Sequence, residues 1–171
     1  MLRVILPFLL CIFVAGCLPT PPGQEASAAN EMIVETDRFT GDRTVRTPFY
    51  LSRQGFTDTF PVRLSLSATV NSSPPRNALL IVRTTGTDWG FYNSARGEDQ
   101  YRFSFTELDR RVDSGGGIVT TEEWFGLAIP IAQLTRMSAA NYEIEVRGSR
   151  NSGVFVVPAT VVRAFLAEIG A

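Results

Sequence analysis

The sequence predicts a mainly β protein: an antiparallel β-sandwich or barrel with one short helical turn and a C-terminal α-helix. Three observations predict it. Short runs of β-branched and aromatic residues recur along the chain, separated by turn-forming residues. The cleanest run, Phe60 to Val70, sets Val62, Leu64, Leu66, Ala68 and Val70 against Arg63, Ser65, Ser67 and Thr69, the period-two pattern of a strand with one wet face. The last segment changes to a helical stripe of Val161, Val162, Phe165, Leu166 and Ile169.

Taken in order, residues 31–171 read as one domain, preceded by a proline- and alanine-rich spacer, Leu18 to Asn30, that offers too little apolar surface to build a core. Met32 to Thr36 is aliphatic and β-branched and predicts a strand. Thr40-Gly41-Asp42 supplies a turn, and Thr44 to Leu51 returns as a second strand that Pro48 confines to an edge or bulge. After the Phe60–Val70 strand, Asn71 to Asn77 is a loop. Ala78 to Val82 is apolar without alternation, which predicts a central strand covered on both faces. Thr84 to Asp88 reads as a loop, followed by the aromatic cluster Trp89, Phe91 and Tyr92.

Tyr101, Phe103 and Phe105 alternate with polar residues and predict another half-buried strand. Asp113 to Gly117 is a flexible turn, and Glu122 to Ile129 a strand stopped by Pro130. Ile131, Leu134 and Met137 suit one helical turn. Tyr142, Ile144 and Val146 alternate with Glu143, Glu145 and Arg147, a polar loop spans Gly148 to Gly153, and Val154 to Val157 return. Pro158 suits the start of the final helix and Gly170 its end.

Composition removes several chemistries. The 171 residues contain no histidine, and all sixteen basic residues are arginine. A histidine-dependent triad, a Ser–Lys dyad, a lysine Schiff base and a P-loop lysine are therefore excluded. Both cysteines, Cys11 and Cys17, precede the spacer, so the domain has no thiol for a disulfide or a zinc site. Sixteen arginines against seventeen acids give a net charge of −1, with no footprint for nucleic acid. Carboxylate chemistry remains, or none, and no metal or other cofactor is implied.

Four local features bear on function. Glu122-Glu123 has the look of a catalytic carboxylate pair, but neighbours in a strand point to opposite faces, so solvated charges at the start of a strand are the simpler expectation. Asp37 and Asp42 bracket a turn and suit turn hydrogen bonding better than calcium. Arg110-Arg111 beside Asp109 and Asp113 reads as a balanced exposed turn, and Ser114 to Gly117 as a hinge without a basic partner. Trp89 and Tyr92 lie among turn residues. Exposed, they would make a recognition surface for a glycan or peptide; folded back, they would plug one end of the sandwich.

The first seventeen residues, MLRVILPFLLCIFVAGC, begin with Arg3, continue as an apolar run from Val4 to Ala15, and end in Val14-Ala15-Gly16-Cys17. A charged start, an apolar middle and small residues at the end make a secretory signal. The run is shorter than the ~20 residues that span a bilayer. Val-Ala-Gly-Cys resembles the lipobox of bacterial lipoproteins. That resemblance implies a signal peptide at 1–16, cleavage after Gly16, and a diacylglyceryl group on Cys17, which opens the tether 17–30. It also implies a cell-envelope address, on the outer membrane facing the periplasm in a Gram-negative host, since Leu18 replaces the retention aspartate of enterobacterial lipoproteins. A soluble secreted protein cut after Ala28 is the competing reading. The stretch from Trp124 to Ile169 resembles, in pattern alone, small bacterial envelope domains without known activity. Two functions fit: a tethered, non-enzymatic module that binds an envelope protein or glycan, or a carboxylate-dependent glycan hydrolase.

Overall fold

The computed structural model describes residues 24–52, 62–71, 75–114, 117 and 119–171. Val14, Ala15, Gly16 and Cys17, with the rest of the signal reading, lie outside the described residues, as do parts of the expected loops at 72–74 and 115–116.

In chain order the elements are α1 (Gln24–Asn30), β1 (Ile33–Thr36), β2 (Arg43–Arg46), β3 (Tyr50–Leu51), β4 (Arg63–Val70), β5 (Asn77–Gly86), β6 (Tyr92–Gly97), β7 (Ser104–Asp113), β8 (Thr120–Pro130), α2 (Ile131–Met137), β9 (Tyr142–Gly148), β10 (Ser152–Val157) and α3 (Ala159–Ile169). Every described strand pairing between these elements is antiparallel. The larger sheet runs β1-β2-β4-β5-β8-β7, with β3 also on β4; the smaller runs β10-β9-β6. The fold is thus a two-sheet sandwich and not a closed barrel.

The apolar row of β4 is buried as expected from Val62 to Ala68. The opposite row is not uniformly wet: Ser65 is buried and donates its hydroxyl to the Thr47 carbonyl at 2.7 Å. Val62, Leu64 and Leu66 are fully buried, and they share one face of the larger sheet with Val45 of β2 and Leu80 and Val82 of β5, all within one continuous core. On β8, Phe125, Leu127 and Ile129 extend the same face, paired in register with Val82, Leu80 and Ala78. The second layer is shared. The smaller sheet and α2 cover the β5–β8 side, while α3 lies over β2 and β4. All five residues of the α3 stripe are buried, and Gly170 ends the helix at φ 72°, a left-handed conformation that glycine adopts without steric cost.

Four expectations need correction. Gln24–Asn30 is not spacer: it forms α1 against α3 and β3, with Ala28 fully buried, so the folded unit begins before Glu31. Alanine is small enough to let two helices approach closely and is a strong helix former, which overrides the spacer-like composition. The second expected strand is broken into β2 and β3, with Thr47, Pro48 and Phe49 between them. Ala78 to Val82 is not covered equally on both faces, for Leu79 and Ile81 are only half-buried, and β5 continues through Thr84 to Gly86. The Tyr101–Phe105 run belongs to two elements. Residues 101–103 fold back on β6 through Gly97 N–H to Tyr101 O and Phe103 N–H to Ala95 O, and β7 begins only at Ser104.

Candidate functional site

Glu122 and Glu123 project from opposite faces of β8, as strand geometry requires, but neither is solvated; their exposures are 3% and 5%. Arg110-Arg111 is not an exposed turn but the middle of β7, in register with Glu123 and Glu122. On the outer face Glu122 is clasped between Arg83 of β5 and Arg111 of β7. Both guanidinium groups also lie over the Trp124 ring, at 5.1 and 5.5 Å, and Phe49 meets that ring edge-on. Burial pushes the Glu122 carboxyl up, but Trp124, Arg111 and Arg83 outweigh it and hold the group below its ordinary value. Trp124 contributes through proximity, since its buried indole N–H closes no hydrogen bond of normal geometry.

On the inner face Glu123 accepts the Gly90 N–H at 2.5 Å and the Phe91 N–H at 3.2 Å through one oxygen, while Arg110 lies 3.3 Å from the other. This carboxylate fixes the loop between β5 and β6, where Phe91 takes a positive φ of 52°. A left-handed phenylalanine costs ~1 kcal/mol or more, which the two bonded N–H groups offset. Arg110 and Arg150 both stack on the Phe91 ring, at 4.9 and 5.2 Å.

The two aromatic residues considered for recognition separate here. Tyr92 opens β6 and is 5% exposed, its ring 5.7 Å from that of Phe125, so it is core and not a recognition surface. Trp89 is half-buried beside Phe91, with ring centroids 6.2 Å apart. The Asp37 turn behaves as expected: Asp37 Oδ1 accepts the N–H of Phe39 at 2.7 Å, capping the turn.

A different constellation lies where β6 and β7 form the margins of the two sheets and residues 101–103 join them. The turn after β6 is anchored by Asp99, which accepts the Tyr142 hydroxyl, the Gln133 amide at 3.0 Å and the Tyr101 N–H at 3.0 Å. The Tyr142 bond, with lesser help from the other two, holds the Asp99 carboxyl below its ordinary value. Burial, reinforced by Asp99, pushes the Tyr142 phenol well above its own, so the pair is one anion and one neutral donor. This anchor sets Arg96 and Arg102 opposite each other on an isolated antiparallel bridge.

Beside that bridge a groove of about 510 Å³ is lined by Asn93, Ser94, Arg96, Arg102, Arg147 and Glu145, with Ala95, Phe103 and Phe105 also contributing. Its lining holds three arginines and one acid, Glu145, which pairs with Arg147 at 2.9 Å. Glu98 and Glu143 stand beside Arg96 and Arg147 in the adjoining hollow. Arg96 donates to the neutral Gln100 at 3.1 Å. Arg102 is exposed and makes no side-chain hydrogen bond or ion pair among the described residues. The groove therefore offers one unpaired guanidinium, that of Arg102, beside aromatic side chains, in a wall of mixed charge.

Sequence reasoning misses this groove because its residues come from β6, the following turn and β9, which only the tertiary pairing brings together. The available signal is faint: Arg102 alternates between two aromatic residues, and Arg147 lies in the outward row of β9. Comparison with known protein families, curated proteins and solved structures found no match.

Proposed function

We propose that this chain is a lipid-tethered module of the bacterial cell envelope that works by binding and not by catalysis. The tether rests on Arg3, the apolar run and the lipobox-like Val14-Ala15-Gly16-Cys17, with Cys17 as the acylated residue. One acyl chain binds membranes only marginally, so the stable anchor comes from the diacylglyceryl group.

The observation that carries the binding reading is the fate of Glu122 and Glu123. A glycan hydrolase would need two carboxylates facing each other across a cleft, about 5–10 Å apart. These two leave β8 on opposite faces, and each is already held by arginine. What remains accessible is instead the arginine-lined groove beside β6. The test uses the full-length lipidated chain, recovered from membranes. Mass spectrometry should find acylation on Cys17, Cys17→Ser should release the protein from the membrane fraction, and affinity capture should retain an envelope component by stoichiometric binding. Hydrolysis of envelope glycan by the purified chain, lost in Glu122→Gln, would contradict the reading.

A further inference from the structure

We propose that two copies of this chain pair along β1, strand to strand, so that their larger sheets become one. The inference goes beyond the binding reading and needs neither the tether nor the groove.

Four strands end the two sheets: β1 and β7 in the larger, β6 and β10 in the smaller. Three of them are covered or interrupted. Residues 101–103 fold back on β6, and β7 starts beside it and bulges between Glu107 and Asp109. On β10 the Val156 N–H is taken by the Ser52 hydroxyl at 2.9 Å. β1 pairs with β2 alone and carries neither a bulge nor a proline, two of the devices that blunt a strand edge.

The register decides which groups of β1 point outward. Asp37 N–H bonds to Asp42 O at 2.8 Å, which by alternation turns the backbone groups of Glu35 and Ile33 toward β2. Val34 and Thr36 therefore aim their N–H and C=O groups away from the sheet, where they have no partner among the described residues. Val34 is 43% exposed, and Glu35 and Thr36 are exposed as well, so this edge is reachable.

A second copy fits because the edge is self-complementary. Antiparallel pairing about a two-fold axis at Val34 sets Val34 against the partner's Val34 and Thr36 against the partner's Met32. The outward groups of Val34 and Thr36 then gain bonds, and the two exposed valine side chains cover each other. Ile33 falls opposite the partner's Glu35, whose charge is matched by its own Arg46 at 3.1 Å. Other registers are worse. Sliding one way sets Glu35 against the partner's Glu35, a like-charge pair, and sliding the other way sets Thr36 against Asn30, the end of the partner's α1. In the favoured register the hairpin tip passes the partner's strand. Phe39, 82% exposed under the Arg38 guanidinium at 4.6 Å, comes alongside the partner's exposed Asn30 and Glu31, and Arg38 offsets the Glu31 charge. Asp37 nears the same Glu31, but its carboxylate already accepts the Phe39 N–H at 2.7 Å.

The test is disulfide crosslinking of the full-length chain in whole cells. Facing residues of a bonded antiparallel pair lie ~5.5 Å apart at Cα, within disulfide reach, so Val34→Cys should give a covalent dimer on oxidation. Thr36→Cys places its two copies more than ~12 Å apart along the strands and should give none. The unsubstituted chain, whose cysteines are Cys11 and Cys17, is the control. In a second measurement, two differently tagged full-length copies should capture each other from the same cells. Val34→Pro removes an N–H that bonds nothing within the chain, so it should melt close to the wild type and lose that capture.

No dimer from Val34→Cys, equal dimer from both cysteine variants, or crosslinks to other proteins alone would overturn the proposal. Capture that a folded Val34→Pro leaves intact would also overturn it. If Val34→Pro does not fold, the contrast between the two cysteine variants decides.

Discussion

The Glu123 carboxylate sits 2.5 Å from the Gly90 amide nitrogen, a contact between residues thirty-three positions apart that ties the β5–β6 loop to the middle of β8. The same oxygen takes the Phe91 N–H. Glu123→Ala would leave two backbone donors without their acceptor and should cost about 2–4 kcal/mol in urea unfolding. Glu123→Gln keeps an acceptor oxygen and should cost less than half as much. Equal losses would mean that the charge toward Arg110, and not the backbone clasp, is what matters.

The Glu122 carboxyl is held below its ordinary value in the folded state. A depressed folded pKa stabilises the protein above the unfolded value, about 4.3 for glutamate, and that contribution is lost as pH falls through the folded value. Thermal stability should therefore be level near neutrality and decline below about pH 4. Glu122→Gln should start lower and decline less steeply, as should Asp99→Asn, whose parent carboxyl is depressed through its bond from Tyr142. Acid profiles parallel to the wild type in both variants would contradict this assignment.

Phe165 is fully buried where α3 lies over β2 and β4. Phe165→Ala should cost about 3–5 kcal/mol, a large share of a domain's usual 5–15 kcal/mol. A melting curve that matches the wild type would mean that α3 does not close the core.

Trp89 and Tyr92 should part company. Tyr92→Ala removes a core ring from Phe125 and should cost about 3–5 kcal/mol. Trp89 is half-buried, so Trp89→Ala should cost clearly less, and it should leave ligand binding at the β6–β7 groove unchanged. Loss of that binding in Trp89→Ala alone would restore the aromatic loop as the recognition surface.

β4 and α3 are legible in the sequence because one face of each is apolar at a fixed period and the other is not. Leu64 and Leu66, or Phe165 and Ile169, announce their side of the element before any neighbour is known. β7 is not legible. Apart from Phe105, which stacks on Phe125, Ser104 to Asp113 is an edge strand whose residues no core selects, and Arg110-Arg111 looks like a turn until Glu122 and Glu123 are set opposite. β6 is missed for a related reason: Asn93, Ser94 and Gly97 have turn chemistry, and only the pairing with β9 makes them a strand. The acid pair reads correctly in geometry and wrongly in environment, because alternation fixes the faces but not the arginines that the two neighbouring strands bring to them. The groove depends on β6, β7 and β9 together, so its arginines are scattered in sequence and carry no local pattern.

The most direct test of the account is photo-crosslinking in the intact envelope, with Arg102→p-benzoylphenylalanine in the full-length lipidated chain. The same photoreactive substitution at Thr160, exposed on α3, serves as the control. A binding module that works through the β6–β7 groove should give a discrete crosslinked species from position 102, acylated at Cys17, and none from position 160. No crosslink from position 102, or the same products from both positions, would contradict the account.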